Sequence, residues 1–400
     1  MTLVFMRFIS TGKKMLICVN YLAYVNMLFF WISNSCIKIM LRKDSINVIV
    51  IGAGVIGLST AVNLQLKEYR VTILANHFPG DPSNIEYTSP FAGAIWQSLT
   101  TGDKRQQQFD RDTFKLFWKL ANGKANETGI MVIPAYNYYS NPSKSEKEPW
   151  FKDFVPTFRV LGKDDELPSG STFGVHYTTV AVNPGIYLKW LFSQFITMGG
   201  QYKRVTLSHI FDAMDTSVDI VVNCSGMHAK TLGGVEDKTV VPTRGQNVIV
   251  HAPHIRKTVS FMSHGYVIPR SDGTVILGTT HEEYNMDTTV NPTSAEKVLE
   301  LARTICPELT KKKDGTEIKL NIVGYITGIR PVRKGGPRVE NEIMVSPSGK
   351  KIVVTHNYGH GAFGYISGWG SGIYATNLVE KSFAQLQKEK QDVISLFSRL

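Results

Sequence analysis

Val48-Ile49-Val50-Ile51 is an apolar run that ends in Gly52-Ala53-Gly54-Val55-Ile56-Gly57. Such a run reads as a buried parallel strand. Leu58 to Lys67 follows with helical spacing, and Arg70 to Leu74 reads as a second strand. A lone G-x-G-x-x-G carries little weight. Here strand, glycines, helix and strand come in the order of a βαβ dinucleotide unit. Gly52 permits the tight turn, Gly54 lets a pyrophosphate approach the backbone, and Gly57 lets the helix lie close to the strand. The helix N-terminus adds free N–H groups and a positive dipole end. A ribose-binding carboxylate is expected after the second strand, but Ala75-Asn76-His77 stands there. Asn76 offers a hydrogen bond without charge, which weakens the case for NAD and leaves FAD open.

The chain has 400 residues, 43% hydrophobic and 19% charged, as in an ordinary globular protein of two or three domains. Cys18, Cys36, Cys224 and Cys306 form no CxxC and no metal spacing, so they read as reduced thiols with no metal site. The net charge is +11, and residues 1–43 contribute Arg7, Lys13, Lys14, Lys38, Arg42 and Lys43 with no acid. The remainder is mildly basic and lacks a basic stripe with interleaved aromatics, which argues against nucleic-acid binding. Met15 to Ser35 is uncharged and about long enough to span a bilayer, although Asn20, Asn26, Ser33 and Asn34 weaken it. It reads as a membrane anchor, a signal sequence, or an extension absent from the working protein. The last is favoured, because Met40 lies just before the first strand.

Further along, Phe109 to Ala121 has helical spacing. Asn122 to Lys147 is polar and reads as a surface excursion joining short strands. Ile186 to Ile196 is a second amphipathic helix, Tyr202 to Leu207 a strand, and Asp219 to Gly226 a buried strand ending in small residues. Val240 to His251, Tyr266 to Pro269 and Thr274 to Thr279 read as strands of a separate sheet. Ser294 to Ile305 is a helix, Lys351 to Thr355 a strand, and Ile373 to Gln387 a closing helix.

Six segments then occur in a telling order. They are the glycine loop, Tyr87-Thr88-Ser89-Pro90-Phe91-Ala92-Gly93-Ala94, Pro242-Thr243-Arg244-Gly245-Gln246, Gly265-Tyr266-Val267-Ile268-Pro269-Arg270, Gly328-Ile329-Arg330-Pro331-Val332-Arg333, and His356-Asn357-Tyr358-Gly359-His360-Gly361. Together they resemble the D-amino-acid oxidases, most closely those of yeasts and other fungi, from about Asn47 nearly to the end. The resemblance implies an α/β fold: a Rossmann-like FAD-binding domain, discontinuous in sequence, plus a mixed-sheet α+β substrate domain. The expected division gives 44–150, 201–235 and 326–397 to the FAD domain, and 151–200 and 236–325 to the substrate domain.

The resemblance further implies that Gly52, Ala53, Gly54, Val55, Ile56 and Gly57 hold the pyrophosphate, with Asn76 and His77 near the ribose and Val205 at the adenine. Thr88, Ser89, Ala92, Gly93 and Ala94 would line the flavin. Gly361, Ala362, Phe363, Gly364, Tyr365 and Ile366 would lie along its pyrimidine edge. Arg330 would bind a substrate carboxylate as a bidentate fork, Tyr266 would donate to the same group, and the Ala362 carbonyl would accept from the amine. The implied partners are a D-amino acid and molecular oxygen, with peroxide as product. His281 stands where fungal relatives often carry a second tyrosine and where D-aspartate oxidases hold arginine, so it is expected to tune side-chain choice. D-aspartate oxidase is therefore the alternative, supported by polar residues around His281 and Arg256. A glycine or sarcosine oxidase, or an idle flavin-binding protein, ranks lower. Ile366 replaces a residue that is commonly polar. The loop that supports some fungal dimers is short here (Ser346 to Lys351), which leaves a homodimer open.

Ser398-Arg399-Leu400 matches the small-basic-leucine form of a peroxisomal address, so an import receptor is an expected partner and the peroxisome the expected location. A membrane location would follow only if residues 15–35 act as an anchor. A fluorescent protein fused ahead of Met40 should form peroxisomal puncta that vanish when residues 398–400 are deleted. Puncta that survive the deletion would refute the address.

Overall fold

The computed structural model describes residues 46–262, 264–312 and 314–397. The apolar stretch 15–35 and the tripeptide 398–400 lie outside the described residues, and so does the whole extension 1–43. Among the described residues, no helix is long and apolar enough to cross a membrane.

Two sheets organise the chain. The first has six strands in the order β14 (Arg338–Val345), β15 (Lys351–Tyr358), β7 (Ile220–Asn223), β1 (Asn47–Ile51), β2 (Arg70–Ala75) and β6 (Gln201–Arg204). All neighbours run parallel except β14, which is antiparallel to β15. The second sheet runs β12 (Glu282–Glu283), β8 (Val240–His251), β11 (Thr274–Gly278), β10 (Gly265–Pro269), β9 (Thr258–Phe261), β3 (Ile130–Tyr139), β5 (Phe173–Val182) and β4 (Arg159–Val160). A ninth strand, β13 (Ile322–Arg333), pairs with β8. This sheet is antiparallel but for β3 beside β9, which is the mixed character expected of the substrate domain.

The helix after the glycines, α1 (Val55–Gln65), starts inside the motif instead of at Leu58 and is buried on nearly every side. A helix apolar all round belongs in a core, and its small residues let others approach. The long last helix, α5 (Gly364–Phe397), packs on it where Gly372 lies 3.2 Å from the Thr60 nitrogen if given a Cβ. Between them in sequence come α2 (Lys104–Gly123), α3 (Pro184–Thr197) and α4 (Pro292–Ile305). Asp103 caps α2 by accepting from the Gln106 N–H at 3.0 Å. Helices α3 and α4 share one device, an asparagine N-cap (Asn183, Asn291) followed by proline at the first position.

Three expected boundaries need correction. Residues 130–139 are not a surface excursion of the FAD unit, since β3 pairs along its whole length with β5 inside the nine-stranded sheet. Pro134 and the polar residues nearby hid a strand whose inward side chains are nevertheless buried. Residues 326–333 continue β13 and so belong to that sheet as well. Conversely α3, within 151–200, packs on α1, with the Gln65 amide donating to the Phe195 carbonyl at 3.0 Å.

The C-terminal ends of β1, β7 and β15 converge, since Ile51 is in register with Asn223 and Asn223 with His356. Ligands of such sheets sit outside those ends. Just beyond them Asp237 fastens the return of the chain. It accepts from Arg333 Nε at 2.7 Å, Tyr358 Oη at 2.9 Å and its own turn through Thr239. Burial pushes its pKa up, but these donors outweigh burial and hold the carboxyl well below the usual range. A depressed folded-state pKa gives stability that is complete at neutral pH and is lost as pH falls toward the folded value. Asp237→Ala should lower unfolding free energy at pH 7 by about 2–3 kcal/mol. The difference from wild type, read by urea denaturation, should shrink once pH drops below the ordinary carboxylate value.

Candidate active site

The glycine loop has the geometry that the motif requires. Gly52 adopts a φ of +102°, and a Cβ there would lie 2.5 Å from the Cys224 carbonyl oxygen. A Cβ on Gly57 would strike the Gly52 carbonyl oxygen itself. Gly54 precedes α1 in extended conformation and supplies no side-chain cap, and the first turn carries no acid. The Val55 N–H meets the Ser89 hydroxyl at 2.9 Å. Ala53 is buried, and its carbonyl accepts from Tyr87 Oη at 2.8 Å. This helix start, with its positive dipole end and no competing carboxylate, fits a pyrophosphate.

At the far end of β2 the Asn76 carbonyl is held by Arg204 at 2.6 Å, and Arg204 in turn grips Asp81. His77 Nε2 lies 3.3 Å from a Glu86 carboxylate oxygen. A carboxylate therefore does stand at this end, delivered by a loop that no spacing rule points to. Val205 follows β6, and its N–H donates to the Ala75 carbonyl, which puts it beside the same strand end.

Between the two sheets opens a cavity of about 640 Å³. From the nucleotide side it is lined by Val55, Ile56, Thr88, Ser89 and by Ala92, Gly93 and Ala94. Gly361, Ala362, Gly364, Tyr365 and Ile366 close it from the start of α5. Phe363 turns instead into the main core. Thr88 has a second task, since its hydroxyl donates to the Ile329 carbonyl at 2.8 Å, next to Arg330.

From the nine-stranded sheet come Tyr266, Arg330 and His281. The Arg330 guanidinium donates to the Thr279 hydroxyl at 2.8 Å and the Thr280 carbonyl at 3.2 Å, and has no carboxylate partner among the described residues. It lies flat on Gly245, where an added Cβ would meet its Cζ at 2.5 Å. Tyr266 Oη donates to Asn247 Oδ1 at 3.0 Å, and Asn247 is itself buried on β8. His281 reaches the cavity only at its mouth, with 63% of the side chain exposed and Glu283 at 3.9 Å. Arg256 is exposed and does not line the cavity, so it cannot support recognition of a second carboxylate there.

The charge balance is simple. Among the described residues lining the cavity, Arg330 is the one permanent charge; no aspartate, glutamate or lysine is present. His360 also lines it, but burial pushes its pKa down to about 3, so it stays neutral. An unpaired guanidinium in a mainly apolar cavity favours one anionic group of fork geometry, such as a carboxylate. Sequence reasoning found Arg330 and Tyr266 through their motifs. It missed Asn247 and the seat that Gly245 gives Arg330, because these contacts depend on strand register, and Glu86, because a loop delivers it.

Comparison with known proteins follows this geometry. The family model described as FAD dependent oxidoreductase (DAO) matches residues 47–378. A D-amino-acid oxidase of Schizosaccharomyces pombe is 34% identical over 335 residues, covering 81% of this chain and 93% of that protein. A D-aspartate oxidase of Cryptococcus neoformans is 29% identical over 388 residues, covering 84% and 97%. Among solved structures, a glycine oxidase from Geobacillus kaustophilus superposes with a TM-score of 0.67 at 19% identity, covering 84% of this chain and 94% of that one. That likeness speaks for the fold.

Arg330→Ala should reduce kcat/KM for an amino-acid substrate by roughly 3–5 kcal/mol of lost transition-state binding while flavin remains bound. Gly245→Ala should reproduce much of the loss by displacing an unaltered Arg330. Steady-state kinetics beside flavin absorbance separates both from misfolding.

Proposed function

The chain belongs to the DAO family of FAD-dependent oxidoreductases, and from that footing we propose that it oxidatively deaminates neutral D-amino acids. The products are a 2-oxo acid and ammonia, formed by hydrolysis of the imino acid, with hydrogen peroxide from oxygen. The observation that carries this reading is the lone guanidinium of Arg330 in a cavity without acids, facing the phosphate-binding helix start across the space a flavin would fill. The preference for the D form rests on the relatives, whose names give D-amino-acid and D-aspartate oxidases.

FAD, when bound, accepts a hydride from the substrate Cα and passes two electrons to oxygen. The phosphate loop Gly52–Gly57 would hold its pyrophosphate, and Ala92 to Ala94 with Gly361 to Ile366 its ring system. The chain's own residues orient the substrate. Arg330 presents two N–H groups to the carboxylate, and the Tyr266 hydroxyl exchanges Asn247 for the same carboxylate. The Ala362 carbonyl lies on the cavity wall, where it can accept from the amine. Among the described residues on the wall there is no carboxylate or lysine to act as a strong base for the Cα proton. The protein's contribution is alignment and the exclusion of water.

A substrate with a second carboxylate would need a second cation. Arg244 is buried but already engaged by Glu282 at 2.8 Å and by the Asp287 and Thr289 carbonyls. That leaves two exposed histidines on the lining, His281 and His264. Peroxide release should therefore favour D-alanine over D-aspartate by about two orders of magnitude in kcat/KM, the scale of one unmatched buried charge. His281→Arg should narrow the gap. A wild-type preference for D-aspartate would overturn the neutral-substrate reading.

A further inference from the structure

One half-buried cation plays no part in this account. Arg270 follows β10, the strand that carries Tyr266 four residues earlier. Its side chain reaches across to the other unit, where Nε donates to the Gly93 carbonyl at 2.7 Å and Nη2 to the Ala92 carbonyl at 2.8 Å. No carboxylate lies within ion-pair distance of it among the described residues. Asp272, two residues on, is occupied by Thr274 and by the Asn183 amide at 2.8 Å. Burial lowers the Arg270 pKa. Asp272 acts on Arg270 only through space, and a desolvated guanidinium without a paired carboxylate is destabilising unless something else offsets it.

The two carbonyls it holds belong to the segment that lines the cavity on the flavin side. Within a trans peptide unit the carbonyl and the next N–H point in opposite directions. Fixing the Ala92 carbonyl toward Arg270 therefore turns the Gly93 N–H to the other face, and that N–H has no partner among the described residues. A full positive charge behind the carbonyl polarises the same peptide and strengthens its N–H as a donor. A neutral side chain could hold two carbonyls; only a cation adds this field.

We propose that Arg270 is a positioning residue for the flavin reaction, aiming and polarising the Gly93 N–H toward the ring edge so that negative charge arriving on the flavin is stabilised. The inference rests on the FAD reading above but is independent of which amino acid is oxidised. Arg270 and Arg330 then divide the work, one acting on cofactor charge and the other on substrate charge.

The test uses the holoenzyme variants Arg270→Leu and Arg270→Lys. The readouts are the flavin reduction potential, the dissociation constant for sulfite, which adds to flavin as an anion, and the dissociation constant for benzoate, which reports the Arg330 clamp. Arg270→Leu should weaken sulfite binding at least tenfold and make the potential more negative, with benzoate affinity within threefold of wild type. Arg270→Lys, which keeps the charge but loses the fork, should recover part of the sulfite affinity. If Arg270→Leu does not fold, Arg270→Gln, which can hold a carbonyl without a charge, takes its place, and a wild-type potential and sulfite affinity in that variant would overturn the proposal. Unchanged sulfite affinity and potential in Arg270→Leu would overturn the proposal, and so would an Arg270→Lys variant no better than Arg270→Leu. If purified wild type takes up no FAD, the functional reading itself fails.

Discussion

Everything in this molecule that bears on a ligand depends on a missing side chain at Gly57. Because that position carries no Cβ, α1 can begin directly against the carbonyl of Gly52, at the very end of β1. The start of α1 then stands over the parallel sheet with its N–H groups outward, the arrangement that suits a pyrophosphate. The effect spreads by packing. Helix α5 lies on α1 through further small residues, Gly368 and Gly372. Its first residues, from Gly364 to Ile366, are thereby delivered to the cavity wall. One close approach thus sets the positions of both the phosphate end and the ring end of a cofactor site.

On the opposite wall the governing quantity is electrostatic. A guanidinium left without an ion-pair partner is expensive; among the described residues Arg330 is such a group on a cavity lined by no acid, and Arg270 is a second, set behind the Ala92–Gly93 segment of its wall. Positive potential concentrated in a space of low polarity selects anions and stabilises negative charge that develops there. The substrate carboxylate and electron-rich flavin are both of that kind. The absence of a side-chain base is consistent with chemistry driven by placement.

The sequence made the nucleotide unit readable because its cues are local. A buried parallel strand, three spaced glycines and a helix need no knowledge of the rest of the chain. The second sheet was harder. Strand β13 carries Gly324, Gly328, Pro331 and two arginines, and its outer end is exposed, so neither alternation nor an apolar run marks it. Strand β3 contains Pro134, and β9 is four residues long. The site divides in the same way. Tyr266 and Arg330 sit in recognisable segments, whereas Asn247 matters only because β8 and β10 flank β11 closely enough for its amide to meet Tyr266. Arg270 matters only because it bonds a loop 177 residues away.

The order in which the chain visits its two sheets has a consequence for how the protein comes together. It leaves the parallel sheet between β2 and β3, returns between β5 and β6, leaves again between β7 and β8, and returns for good between β13 and β14. The nine-stranded sheet is complete only when β13 arrives, and the parallel one lacks the second partner of β7 until β15 does. Contacts of such long sequence separation form slowly and late. No single cut through the chain separates the two sheets, so the cofactor half and the substrate half should gain and lose their structure together.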